Sequence, residues 1–569
     1  MLNGIKAYCR ITLWSMVLVL VGGAGSAGAE TVAMPLTIDH GLLRALVVHE
    51  AYRGPGPSAV LLDSGDGCRH IEVSEPRFGE GRGLLAFETK VDLFMGTTFG
   101  DNCVAPVSWT GYVVLYQRPR ISSGWVLSFD TLDSSILDAD HRPAQLPGLI
   151  WEYAKEWVYA YLEQIAVDLA PPVGELRAFL GPLFQEQDKA IANRMLDSLR
   201  PGAMAIAPGG VTIEILADVQ QVYRPAADKT PETLTEAEQE ALVENWEMWD
   251  AFLGHLIVQL ADKSLGEDER EILLSAFLDA RHEFLEQLTT GQLQQGFVRA
   301  QFVATWQRIA PVFRRHLAKE ASYSALLGYL AFFTATDALA ALDKLGPTLG
   351  IEISRNGLVR LVRLLGGSPE RVLHYDDRVN TRLREALGIG PPLEEAPILA
   401  PDPPADKPPE DKTGASEPTG FLRHPGQSLL TTMAGWLLPG SAWAAPAVTL
   451  ADIRSWLVFE SNHGKHLNRV RQLLSRAVHD ALRQEPMPKP YNTLFEPIVV
   501  ATGWQESCFR QFIVKNNKLA FLRSYNGTSV GLMQINERVW RGLYSPQQLR
   551  WNIRYNCVAG CEILALYLR

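Results

Sequence analysis

Cysteine is scarce in this sequence: six residues in 569, with no CxxC pair among them. A disulfide-dense scaffold and an all-cysteine zinc site are thereby excluded. An excess of positive charge is lacking too. Lys and Arg number 53 against 64 Asp and Glu, a net charge of −11, which disfavours a generally basic nucleic-acid binder. Long apolar runs are few, and the mean hydropathy of −0.02 excludes a polytopic membrane protein. What is present is ordinary globular material. Hydrophobic residues make up 47% and charged residues 21%, enough for several cores and too apolar for a mainly disordered chain. At roughly 100–200 residues per domain, the length allows about three or four.

Residues 1–29 read as an export signal. Lys6 and Arg10 precede an uncharged apolar stretch, 11–21, and a small-residue segment ends Ala27-Gly28-Ala29. The apolar stretch is too short for the ~20 residues that span a bilayer. The expected compartment is therefore the periplasm. Cleavage removes two positive charges and takes the net from −11 to −13. It leaves Cys68, Cys103, Cys508, Cys557 and Cys561. Cys68 and Cys103 share a strand-rich region and are the expected disulfide. Cys508 has two candidate partners, Cys557 and Cys561, which lie four apart on one face of a predicted helix.

The pattern predicts a multidomain α+β chain. Residues 30–225 form an α+β domain, with short strand-like runs at 58–62, 69–73, 84–93, 112–116, 125–129 and 211–216 between Gly, Pro and Asp punctuation. A helix is expected over 150–169, stopped by Pro171-Pro172, and another over 175–183. Long helices on a curved sheet suit an elongated lipid-binding fold; a scaffold or recognition domain is the plainer alternative. Residues 226–387 form an all-α helical domain. Thr235 and Glu238 match a capping box, and 271–288, 297–317 and 323–345 fit helices. Trp246, Trp249, Phe252 and Trp306 suit a core better than a sugar groove. Residues 388–447 comprise a Pro-rich acidic linker, 388–427, whose composition buries no core, and from Ser428 an uncharged apolar tether able to touch an inner- or outer-membrane surface.

Residues 448–569 reverse the charge. From Thr449 onward there are sixteen Lys and Arg against eight Asp and Glu, a surplus of +8 that leaves −21 for the rest of the mature chain. A basic module on an acidic carrier points to a polyanionic target other than nucleic acid. Three runs here carry candidate chemistry. An apolar helix, 495–504 with Pro497 in its first turn, leads into Glu506-Ser507. A carboxylate half-buried at such a helix end has its charged form disfavoured, which suits a general acid. Next comes Gly531-Leu532-Met533-Gln534-Ile535-Asn536, in which Gly531 permits close approach while Gln534 and Asn536 alternate with apolar neighbours. Last come Asn556, Gly560, Ile563 and Leu564 on a helix, with Gly560 allowing close packing.

Taken in this order, Glu506-Ser507, then Gly531 to Gln534, then Asn556-x-x-x-Gly560-x-x-Ile563-Leu564, the chain over about 490–569 resembles the soluble lytic transglycosylase family of the lysozyme-like superfamily. The resemblance implies a lysozyme-like, mainly α C-terminal domain, with peptidoglycan glycan strands as partner and no metal or cofactor. It implies Glu506 as the catalytic acid and base. It also implies that Ser507, Met533 and Gln534 line the saccharide cleft and that Asn556 supports it; Gly531 and Asn536 join them as substrate-binding candidates on their own pattern. The family pattern continues into a helix bearing a Tyr-Asn motif; here the 452–484 helices are the expected substitute. The bond implied is the β-1,4 link from N-acetylmuramic acid to N-acetylglucosamine. Most glycosidases need two carboxylates, ~5–5.5 or ~6.5–9.5 Å apart. Glu496 lies ten residues away, about 15 Å by helical rise, so Glu537 is the better second acid for a hydrolytic muramidase. A single acid fits closure of a 1,6-anhydro ring. The third alternative is a non-catalytic wall- or lipid-binding scaffold.

Overall fold

The computed structural model describes residues 29–99, 102–144, 148–184, 189–207, 209–220, 234–294, 296–317, 322–343, 353, 355–399, 447–484, 487 and 491–568. The expected export signal, apart from Ala29, and the linker and tether over 400–446 lie outside the described residues. The chain is mixed α and β, strand-rich towards the N-terminus and helical beyond it.

Strand β1 (Ala29–Asp39) runs into helix α1 (His40–Ala51). Asp39 Oδ1 accepts from the Leu42 N–H at 2.8 Å and caps the helix. Strands β2 (Ser58–Asp63), β3 (Arg69–Gly81), β4 (Leu84–Phe99), β5 (Asn102–Ile121) and β6 (Val126–Asp138) follow as an antiparallel meander. After α2 (Gly148–Leu162), the short β7 (Val167–Asp168) completes a six-stranded sheet in sequence order. Helices α3 (Ala170–Leu180) and α4 (Lys189–Asp197) then lead to β8 (Arg200–Ala207) and β9 (Gly210–Gln220). β9 returns beside β1, giving a second sheet ordered β1-β9-β8.

The strand runs read from the sequence fall in strands, except for Trp125, which precedes β6 with φ 67°, and the strands are longer. Pro76 and Gly96 look like terminators locally. They fall instead at register shifts, between Ser74 and Arg77 and between Met95 and Thr97, where the ladder absorbs them. Pro171-Pro172 corrects another expectation. The preceding helix ends nine residues earlier, and both prolines sit in the first turn of α3, where a missing N–H costs nothing. The Cys68–Cys103 disulfide is formed. The second pairing is not: Cys508 is an exposed thiol, whereas Cys557 and Cys561 are buried thiols.

The helical region comprises α5 (Glu236–Val258), α6 (Glu267–Thr290), α7 (Phe297–Leu317), α8 (Tyr323–Asp343), α9 (Arg355–Leu364), α10 (Pro369–Val372) and α11 (Thr381–Ala386). The capping box at Thr235 and Glu238 is present, with both reciprocal hydrogen bonds. Trp246, Trp249, Phe252 and Trp306 are all buried, with Trp246 and Trp249 rings 4.7 Å apart. They are core, not groove. Among the described residues one helix, Tyr323–Leu342, is long and apolar enough to cross a membrane, and it is 67% buried. Its apolarity is accounted for by packing: α8 lies between β1, α3, α7 and α9 and joins the first two regions into one hydrophobic cluster.

In the C-terminal module, β10 (Ile398–Leu399) pairs in parallel with β11 (Val448–Thr449). Then come α12 (Leu450–Ser455), α13 (His463–Gln484) and α14 (Tyr491–Ser507). Two small hairpins follow, β12 (Phe512–Lys515) with β13 (Lys518–Phe521) and β14 (Ser529–Val530) with β15 (Ile535–Asn536). Helices α15 (Pro546–Trp551) and α16 (Ile553–Leu568) end the described chain. α13 packs on both α14 and α16. The first residues of the linker depart from expectation. Ala396 is buried, and the Gln548 side-chain amide donates to its carbonyl at 2.6 Å and accepts from its N–H. Those residues pack because a glutamine satisfies their backbone.

Candidate active site

Helix α14 is mainly apolar and starts four residues earlier than the sequence suggests, which puts Pro497 in its interior. It ends at Glu506-Ser507. Two consecutive non-glycine residues then take left-handed backbone, Cys508 with φ 50° and Phe509 with φ 62°. Each costs about 1–3 kcal/mol. The reversal is held by Cys508 N–H donating to the Trp504 carbonyl (2.9 Å) and Phe509 N–H to the Gly503 carbonyl (3.1 Å). It turns the chain back so that Phe509 packs under Trp504, ring centroids 5.5 Å apart.

Glu506 itself is exposed, not half-buried. Glu506 occupies the outward side of the last turn, while Gly503 and Ser507 take the inward side, so the apolar helix does not bury it. Neither Arg510 nor Arg538 pairs with it; Arg510 Nε donates to the Ser507 carbonyl instead. A carboxylate at a helix C-terminus faces the negative end of the helix dipole, which is unfavourable by about 0.3–1 kcal/mol. Among the described residues nothing bonds its side chain. Folding therefore gains nothing from a carboxylate at this position.

Next to Glu506, the 530–533 turn is held by side chains from three elements. Ser507 Oγ donates to the Leu532 carbonyl at 2.7 Å. Gln511 Oε1 accepts from Leu532 N–H at 2.7 Å, while its Nε2 donates to the carbonyls of Leu549 and Arg550. Asn556 Oδ1 accepts from Met533 N–H at 2.9 Å, and its Nδ2 donates to the carbonyls of Val530 and Leu549. Gln511 and Asn556 are wholly buried, so their amides supply partners to backbone groups that would otherwise lack them. Two glycines let the pieces approach. Gly531 has φ +79°, and a Cβ there would lie 2.3 Å from Asn556 Nδ2. A Cβ on Gly560 would lie 2.5 Å from Met533 Cγ. Gly531→Ala is expected to destabilise the protein by at least about 2 kcal/mol, from backbone strain plus overpacking; urea unfolding measures it, and an unshifted midpoint would contradict the clamp.

The predicted site residues thus divide. Ser507, Gly531, Met533 and Asn556 are buried and form the frame, with Ser507 and Asn556 spent on backbone rather than facing a cleft. Glu506, Gln534 and Asn536 face outward or partly so. Gln534, itself at φ 46°, folds its Nε2 onto the Gly531 carbonyl at 2.6 Å and keeps Oε1 free of partners among the described residues. Asn536 accepts from the Arg538 and Val539 N–H groups at 3.1 Å through Oδ1, and its Nδ2 is unbonded among the described residues. Glu537, the contender for a second carboxylate, is locked in a two-pronged pair with Arg550 at 2.6 and 3.0 Å. Burial pushes its carboxyl up, against the pull of Arg550. Gln511 was missed by sequence reasoning, although it stands four residues after Ser507; a buried amide has no periodic signature.

The module is gripped from outside as well. Asp250 of α5 binds Arg281 of α6 through both oxygens (2.6 and 3.0 Å) and also binds Arg541. Arg281 donates onward to the carbonyls of Val539 and Arg541, both at 2.8 Å. The fully buried Arg384 of α11 donates to the Leu543 carbonyl at 2.8 Å and pairs with Glu562 at 2.9 Å. The segment after the hairpin is therefore fixed by the helical region. Three cavities, of about 660, 780 and 290 Å³, border this seam or the β10–β11 pair, and Glu506 lines none of them. No cluster of potential metal ligands occurs among the described residues.

Comparison with protein-family models, with curated proteins and with solved structures finds no match for this chain.

Proposed function

We propose that the C-terminal module is an exported, periplasmic peptidoglycan lytic transglycosylase of lysozyme-like type, with Glu506 as its single acid and base. The observation that carries this reading is the placement of Glu506: an unpaired carboxylate at an electrostatically poor helix end, beside strained backbone at Cys508, Phe509 and Gln534. Strain and unpaired charge gathered at one place mark a site kept for something other than stability. The ordered motif resemblance supplies the chemistry.

In this reading a glycan strand covers Glu506 and excludes water, so the carboxyl is desolvated by substrate rather than by protein. The protonated Glu506 gives its proton to the bridging O4 as the C1–O4 bond breaks. Positive charge develops at C1 of the muramic sugar. The 6-hydroxyl oxygen of that sugar bonds to C1, and its proton passes to the Glu506 carboxylate. The enzyme ends in its starting protonation state, with no water consumed. Intramolecular placement of the hydroxyl replaces a second carboxylate. Gln534 Oε1 and Asn536 Nδ2 are the open polar atoms for sugar hydroxyls.

Hydrolysis would need Glu537 to activate water, and its pair with Arg550 opposes that. The exposure of Glu506 favours a different second reading, in which the module holds the wall without cutting it. Mass analysis of material released from purified peptidoglycan separates all three. The expected products carry 1,6-anhydro ends; reducing ends would establish hydrolysis, and no soluble product would leave the binding module.

A further inference from the structure

The 290 Å³ cavity opens beside the β14–β15 hairpin, between the helical region and the C-terminal module. Arg523, Arg538, Arg541 and Arg550 line it, together with Glu247, Asp377 and Glu537. Pairing decides what it offers a ligand. Arg550 is held by Glu537. Arg541 is spent on Asp250 and on the Asp376 carbonyl, and its guanidinium lies 3.6 Å over the Tyr375 ring. Arg523 and Arg538 are exposed and make no side-chain hydrogen bond or ion pair among the described residues. Burial pushes the Glu247 and Glu537 carboxyls up, and Arg538 and Arg523 respectively are among the charges pulling them back. Two guanidinium forks thus lack a paired carboxylate, with Arg523 lying 5.0 Å over the Phe521 ring, beside one partly buried acid (Glu247), one paired acid (Glu537) and one exposed acid (Asp377). Such forks match a carboxylate in shape and charge.

We propose that Arg523 and Arg538 bind the carboxylates of the peptide stems carried by the glycan, so that the module selects peptide-bearing over bare strands. This rests on the transglycosylase reading for the position of the glycan. Reach is consistent with it. Thr528, at the open end of the hairpin, lines the cavity, and Leu532, at the turn, meets Ser507 beside Glu506. Four residue steps, through Ser529, Val530 and Gly531, separate them by at most about 14 Å. A four-residue stem, fully extended, spans about the same. A stem of this length matches the span from the turn beside Ser507 to the cavity-lining Thr528.

The test uses the full chain carrying Glu506→Gln, which removes turnover from the readout, and titrates it with a free stem tetrapeptide. Binding is expected to weaken with added salt. Adding Arg523→Gln and Arg538→Gln is expected to weaken it at least tenfold, with an unchanged thermal melt. Adding Arg471→Gln and Arg476→Gln instead removes the same charge from α13, outside the cavity, and is expected to leave binding as it was. Equal affinities in the two double variants, or no tetrapeptide binding by the parent, overturn the proposal. Cleavage of peptide-bearing peptidoglycan by the unsubstituted chain is read alongside. Peptide binding without cleavage removes the transglycosylase reading and keeps the carboxylate site; cleavage without peptide binding does the reverse.

Discussion

Glu506→Gln is expected to reduce release of anhydro-ended fragments from peptidoglycan by about 10²–10⁴-fold, the usual contribution of a positioned acid and base. The upper end is expected, because no second carboxylate shares the work. Glutamine keeps the size and loses only the transferable proton. Glu506 is exposed and unbonded among the described residues, so stability should move by no more than about 0.5 kcal/mol. That combination makes the result readable: a large loss of release, an unchanged melt and retained sedimentation with the wall. Release at the parental rate would end the enzymatic assignment. Loss of both release and folding is not expected at so open a position.

The second large effect lies far from that carboxyl in sequence. Asp250→Ala is expected to cost about 3–5 kcal/mol, because it leaves the buried Arg281 and Arg541 guanidiniums without their counter-charge. Burial alone would raise the Asp250 carboxyl, but Arg281 and Arg541 outweigh it and hold it below the usual carboxylate range. A group lowered in this way stabilises the fold fully above its ordinary value near 4. Its contribution fades as pH falls through the lowered one. Urea melts of parent and variant should therefore differ strongly at pH 7 and converge in strong acid. A gap unchanged down to pH 2 would mean that the charge is not what matters. Since Arg281 also holds the Val539 and Arg541 carbonyls, the variant should loosen the segment after the hairpin, visible as faster amide exchange there.

Much of the architecture was legible because it is set by near neighbours. Thr235 and Glu238 meet across one helical turn, and the run 297–317 is a helix over the same residues. The strands were found but cut short, since Pro76 and Gly96 read as breaks and only a partner strand shows that the ladder absorbs them. At the candidate site, the motif order located Glu506 and the 531–534 turn. It did not show that Asn556 and Ser507 face inward, nor that Gln511 carries an equal share of the clamp.

The amino-acid sequence by itself placed most of the strand and helix series, because propensity and capping act over a few residues, and the Cys68–Cys103 pair through their shared strand-rich region; the candidate acid came from the motif resemblance. Tertiary structure alone decided that Glu506 stands open, that α8 is core and that Asp250 reaches Arg541, 291 positions along the chain. Such contacts depend on which surfaces meet after the chain has closed on itself, and no local rule specifies that meeting.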